Sequence, residues 1–155
     1  MEEVKYDIRV IPNGSKEFFP LCQQLEQTIT CENLRVNGGT LRFSSLIYKA
    51  DEILVAYENG EPVGYNALVR ADKSLYIYQI AVKKTHQHKG VGTAMMKAAI
   101  SIAASENLNV TAHVMEYNEP SKGMFNSLGF KKLSVEKGNG LYFLKQRKLF
   151  FRKPK

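Results

Sequence analysis

The chain has 155 residues, 44% apolar and 24% charged, the balance of one globular domain (1–155) with its own core rather than of a disordered or membrane-spanning chain. Cys22 and Cys31 form no CxxC pair and have no histidine nearby, which excludes a zinc or disulfide framework and leaves two reduced, partly buried thiols. The formal charge of +7 gathers at one end: residues 145–155, KQRKLFFRKPK, carry six Lys or Arg and no acid. Such an end reads as a solvated terminus or a packed last strand with a frayed tip, in preference to a nucleic-acid interface. Residues 94–104 are apolar but broken by Lys97 and too short for a bilayer. MEEVKYDIRV lacks an apolar signal core, so a cytoplasmic location is expected.

Residues 5–11 alternate as a first strand, and Pro12-Asn13-Gly14-Ser15 marks a turn before Phe18, Leu21, Leu25 and Ile29 recur at helical spacing. Residues 30–40 are irregular, and a short amphipathic helix is expected over 41–50. From residue 52 the period becomes two. EILVAYE and PVGYNALVRA flank Asn59-Gly60, a strong hairpin signal, and SLYIYQIAVKK completes an antiparallel meander over 52–84. A helix over 90–105, a strand NVTAHVM and a helix over 119–128 stopped by Gly129 follow. FKKLSVEK and LYFLKQRKL then form a hairpin over Gly138-Asn139-Gly140. The order is that of an α+β domain with a mixed sheet, in which 75–115 places two strands in parallel across a right-handed crossover.

Chemistry concentrates in residues 80–93, IAVKKTHQHKGVGT. A strand ends, a basic loop follows, and Gly-Val-Gly opens a helix whose first amides lack intrahelical partners. With the helix dipole these amides form an anion site worth roughly 0.3–2 kcal/mol per charge. Gly90 and Gly92 let a diphosphate approach the backbone, and His88 and Lys89 add positive potential. The loop before the first glycine is too long for a dinucleotide-binding fingerprint, and no GKS or GKT completes a P-loop.

Gln87-His88-Lys89-Gly90-Val91-Gly92, followed by Asn118-Glu119-Pro120-Ser121, Phe125 and Leu128-Gly129-Phe130, resembles the paired motifs of the GNAT acyltransferases over residues 50–130. The resemblance implies the GNAT fold, a central twisted, mostly antiparallel sheet with helices on both faces. It also implies transfer of acetyl from acetyl-CoA to a primary amine in a ternary complex, with no metal. By position, pantetheine would lie along Ile80, Ala81 and Val82, and the diphosphate on Gln87, His88, Lys89, Gly90, Val91, Gly92 and Thr93. Asn118, with Ser121 and Phe125, would contact the pantetheine arm; Asn118 is equally a helix N-cap with Pro120 behind it.

The chain departs from the family twice. The strand LYIYQIAV carries no glutamate. In members acting on N-terminal amines a glutamate lies five residues before the motif Asn, and that position here is His113. An imidazole can serve as base; Glu116 and a water chain are the alternatives. Phe125 occupies the place of a tyrosine thought to reprotonate the thiolate, with Tyr117 or Tyr142 as substitutes. These departures keep open a second reading, a weak or inactive CoA-binding sensor or partner module. The acceptor is not legible: residues 27–45 with the last hairpin would shape its site, with Arg35, Arg42, Tyr48 and Tyr65 as candidates. The oligomeric state is open, a homodimer included.

Overall fold

A computed structural model of the chain describes residues 6–30, 46–115, 118–137 and 147–153. It contains strands β1 (Asp7–Pro12), β2 (Glu52–Glu58), β3 (Glu61–Ala71), β4 (Ser74–Val82), β5 (Asn109–Met115), β6 (Lys131–Lys137) and β7 (Arg147–Lys153). Its helices are α1 (Phe18–Leu25), α2 (Val91–Ser105) and α3 (Glu119–Ser127). The strands form one mixed sheet in the order β1-β2-β3-β4-β5-β7-β6. β4 and β5 run parallel, whereas β1 with β2, β2 with β3, β5 with β7 and β6 with β7 are antiparallel. This is the mixed-sheet α+β class expected above. Among the described residues no helix is long and apolar enough to cross a membrane.

The chain divides into two compact units, Met1–Val69 with Tyr78–Ala99, and Arg70–Ile77 with Ile100–Lys155. In the first, the β2–β3 hairpin turns at Asn59 (φ 51°) and Gly60 (φ 80°), the double positive φ that makes this dipeptide a hairpin signal. β2 buries Ile53, Leu54, Val55 and Ala56 in succession, as a strand covered on both faces must. α1 buries Phe18, Cys22 and Leu25, and a π-helical turn, Glu26–Thr30, continues it and buries Ile29. Cys22 therefore takes the inward place expected of Leu21, which is only partly buried. Burial, then the charge of Glu26, pushes the Cys22 thiol up to about 11, so it acts as a small apolar side chain.

The helix expected over 41–50 is corrected over its described part, where Leu46–Lys49 form a single 3-10 turn. The Ala50 amide bonds back to the Ile47 carbonyl at 3.2 Å, and the Asn13 side chain donates to the Ala50 carbonyl at 2.9 Å. Those bonds force the chain straight into β2, leaving no length for a helix to propagate. Residues 41–45 lie outside the described residues.

In the second unit Ser74, Leu75, Tyr76 and Ile77 pair with Asn109, Val110, Thr111 and Ala112. Phe125, Phe130 and Phe151 form an aromatic core, with Phe125 4.8 Å edge-on to Phe130 and 5.7 Å stacked on Phe151. The end of the last strand is corrected from 149 to Lys153, placing most of the basic end in the sheet. The physical reason is Phe151: it is 2% exposed and pairs with Ala112, so apolar burial draws the chain in although Lys and Arg flank it. The turn at 138–140 and residues 141–146 lie outside the described residues.

Candidate functional site

β4 changes character along its length. Leu75 and Ile77 are buried in alternation, but residues 78–82, beyond the ladder with β5, are all half-buried. Ile80 and Val82 pack partly against Ala56, Val63, Val91 and Met95. Gly64 on β3 lets α2 come this close. A Cβ there would stand 2.9 Å from Met95 Cε, 3.0 Å from Val91 Cγ1 and 3.2 Å from the Ala81 carbonyl.

The chain then leaves the sheet through a 3-10 turn, Lys84–His86. The Lys83 amide donates to the Val63 carbonyl at 2.8 Å, and Gln87 Nε2 donates to the Val82 carbonyl at 3.2 Å. His86 Nε2 lies 2.7 Å from Glu58 Oε2 and its Nδ1 2.8 Å from Thr85 Oγ1. Nε2 thus holds the loop to the end of β2, while Nδ1 is engaged within the loop. Gln87 is thereby a loop clamp as well as a motif residue, a role spacing alone does not reveal.

The next residues turn outward. His88 sits at φ 61° and Gly90 at φ 84°; the first is an uncommon conformation for a residue with a Cβ, held by the loop on either side. Gln87, His88, Lys89 and Gly90 are exposed, Val91 is buried and Gly92 and Thr93 are half-buried. The first intrahelical bond of α2 runs from the Ala94 amide to the Gly90 carbonyl at 3.0 Å. The amides of Val91, Gly92 and Thr93 precede it, at the positive end of a helix of 15 residues. Val91 anchors that turn in the core while the residues before it stay open. All of the loop residues expected to hold a diphosphate are gathered here, with a single buried member.

In the second unit His113 is exposed on β5, with Nδ1 2.7 Å from Tyr76 Oη on β4 and the rings edge to face at 5.6 Å. Sequence reasoning missed Tyr76. Its signal is positional: Tyr76 pairs with Thr111, so Tyr76 and His113 share one face of two parallel strands. Asn118 caps α3, its Oδ1 accepting from the Ser121 amide at 3.3 Å, with Pro120 in the first turn. Both capping residues are half-buried, and the capping reading of Asn118 holds. The Phe125 ring is 2% exposed, within the aromatic core. Glu116, Tyr117, Tyr142, Arg35 and Arg42 lie outside the described residues. Among the described residues no three His, Cys, Asp or Glu side chains group as metal ligands.

A model of the Acetyltransferase (GNAT) family matches residues 18–130. Among solved structures, Ard1 from Thermoplasma volcanium is similar at a TM-score of 0.72 and 17% identity, with 97% of each chain covered. The ribosomal-protein-S18-alanine N-acetyltransferase from Escherichia coli is similar at 0.69 and 14%, over 96% of this chain and 94% of that one. An acetyltransferase from Salmonella typhimurium, solved with its cofactor acetyl-CoA, is similar at 0.60 and 22%, over 66% of this chain and 64% of that one. The chain likewise spans 64% of the length of nourseothricin acetyltransferase. At these identities the likeness is one of fold.

Proposed function

Because the chain belongs to the acetyltransferase (GNAT) family, we propose that it moves an acetyl group from acetyl-CoA to a primary amine by direct attack in a ternary complex. The observation that carries the reading is the open turn at 87–93, where backbone amides at a helix N-terminus meet no acidic side chain of their own segment. Such amides bind a diphosphate without side-chain rearrangement. Glycine at 92 keeps the approach clear, and Lys89 supplies a cation beside it.

The half-buried stretch 78–82 of β4 supports the thioester end of the reading. A backbone N–H of Ile80, Ala81 or Val82 would donate to the oxyanion as the amine nitrogen bonds to the thioester carbon; loss of such a donor lowers rate by about 10²–10³. The C–S bond then breaks, the thiolate leaves as CoA, and the nitrogen gives up its extra proton. His113 is the proposed acceptor of that proton. With the ring proton on Nδ1, the Tyr76 oxygen accepts from it and Nε2 holds the lone pair; on protonation the Nδ1–H···O bond is kept. Tyr76 is thus a positioning residue that fixes tautomer and ring plane. Asn118 is proposed to bond the pantetheine amide while capping α3.

The burial of Phe125, which has no proton to donate to a thiolate, favours a second reading as a CoA-binding sensor. Release of free CoA thiol, followed with a panel of protein N-terminal peptides, lysine peptides, amino acids, polyamines and aminoglycosides, separates the two. Amine-dependent release supports transfer. Tight binding of acetyl-CoA with no release above the hydrolysis rate for any amine would leave the sensor.

A further inference from the structure

The turn at 87–90 belongs to a short bridge of chain between two fixed points. At one end the Lys83 amide is tied to the Val63 carbonyl at 2.8 Å. At the other, Val91, the first residue of α2, is buried, and Gly64 on β3 lets that part of the helix sit close. Between them Lys84, Thr85, Gln87, His88, Lys89 and Gly90 are exposed, and His86 is half-buried. An exposed segment gains few contacts to offset the entropy of ordering it. His88 nevertheless holds φ 61°, a conformation that a residue with a Cβ keeps only where its surroundings impose it.

His86 Nε2 reaches out of this bridge to Glu58 Oε2 at 2.7 Å, at the last position of β2. A carboxylate has no proton to offer, so Nε2 carries the hydrogen. Nδ1 then meets the Thr85 hydroxyl at 2.8 Å, as acceptor in the neutral ring and as donor in the charged one. One carboxylate therefore orients two side chains of the bridge, whichever charge the ring carries. The hairpin has no use for that carboxylate. In its register Glu58 stands directly opposite Glu61, and like charges so placed lower the stability of a strand pair. The benefit of an acid here falls to the loop, which it meets from a strand end fixed by the Asn59-Gly60 turn.

We propose that Glu58 is a positioning residue for acetyl-CoA: through His86 it holds residues 87–90 in the shape that leaves the amides at the start of α2 open to the diphosphate. The inference rests on the acetyl-transfer reading and adds to it a residue that lies outside both motifs. A tether of this kind acts on the fraction of molecules whose turn is already shaped, and apparent affinity scales with that fraction. Its sign separates it from a direct effect of charge. A carboxylate beside the loop repels an incoming anion, so charge alone would have acetyl-CoA bind more tightly once Glu58 is removed. The tether has it bind more weakly.

The test is calorimetric titration of acetyl-CoA into the full chain as wild type, Glu58→Ala, Glu58→Gln, His86→Ala and the Glu58→Ala/His86→Ala double variant, with a melting curve for each. Glu58→Ala is expected to weaken binding about 5–10-fold and to leave the melting curve unchanged. Glu58→Gln keeps an oxygen that accepts from Nε2 and is expected to bind within about twofold of the wild type. In the His86→Ala background the loss of Glu58 should add nothing, because the two partners of one tether do not act additively. Affinity that is unchanged or raised in Glu58→Ala overturns the role and leaves the diphosphate turn standing. A full further loss on combining the two substitutions overturns it as well, since Glu58 would then act by a route other than His86. A wild type that does not bind acetyl-CoA removes the transfer reading, and the role of Glu58 falls with it.

Discussion

At position 113 an imidazole stands where the resemblance implies a carboxylate, and its contact with Tyr76 at 2.7 Å gives the ring a fixed orientation. Removing a general base typically lowers rate about 10²–10⁴-fold. His113→Gln is therefore expected to reduce kcat at least about 10²-fold with acetyl-CoA affinity unchanged. Tyr76→Phe removes only the orienting oxygen, and a fall of about 3–10-fold is expected, in line with the smaller effect of a positioning partner. Steady-state kinetics beside acetyl-CoA titrations check both; full activity in His113→Gln would remove the residue from the mechanism. His113 was legible because its distance from Asn118 is a matter of counting. Tyr76 was not, because its partner lies on a neighbouring parallel strand and register is not written in local sequence. Phe125 was legible as a position but not as an environment: its burial depends on Phe151, 26 residues later along the chain.

At the level of elements, α3 depends on Asn118. The cap bond to the Ser121 amide is worth about 1 kcal/mol, so Asn118→Ala should lower stability by that amount. Asp caps as well as Asn, so Asn118→Asp should melt with the wild type. It has no amide N–H to offer a ligand carbonyl, and its acetyl-CoA affinity should fall by about 5–10-fold. Equal affinity in Asn118→Asp would reduce Asn118 to a cap alone. The end of α2 is fastened differently. Arg70 Nε donates to Glu106 Oε1 at 2.7 Å and Nη2 reaches Oε2, and these hydrogen bonds hold the Glu106 carboxyl below its usual range, against a small opposing burial effect. A carboxyl pKa depressed in the folded state contributes stability above its unfolded pKa and loses it as pH falls through the folded value. The pair is more than a third exposed on the Glu106 side, so solvent screening limits it to about 0.5 kcal/mol. Glu106→Gln should melt about 1–2 °C below wild type at neutral pH and together with it once the pH is below both pKa values; a gap that persists in acid would contradict the assignment. Elements with local signals were legible, such as the Asn59-Gly60 hairpin, the α2 start at Gly90-Val91 and the α3 cap. The 3-10 turn at Leu46–Lys49 and the placing of β7 were not, since Asn13 and the Phe125 cluster, distant in sequence, decide them.

For the molecule as a whole, the run of neighbours β2-β3-β4 and the parallel β4–β5 pair follow from a pattern of elements that was readable in the chain, whereas the place of β7 between β5 and β6 does not. The basic end was harder to place. Charge left a solvated terminus and a packed last strand both open; the second holds, since β7 reaches Lys153, whose Nζ donates to the Leu128 carbonyl at 2.9 Å. A large formal charge thus describes the composition of a strand here and not a free arm. In the proposed reading the donor end depends on one turn of backbone, residues 87–93. Isothermal titration of acetyl-CoA into the wild type and into Gly92→Glu tests that end most directly. Saturable binding by the wild type, weakened at least about 100-fold by a carboxylate placed over the amides, is the expected result. Equal affinity in the two proteins, with both folded, would contradict the assignment of the phosphates to the N-terminus of α2.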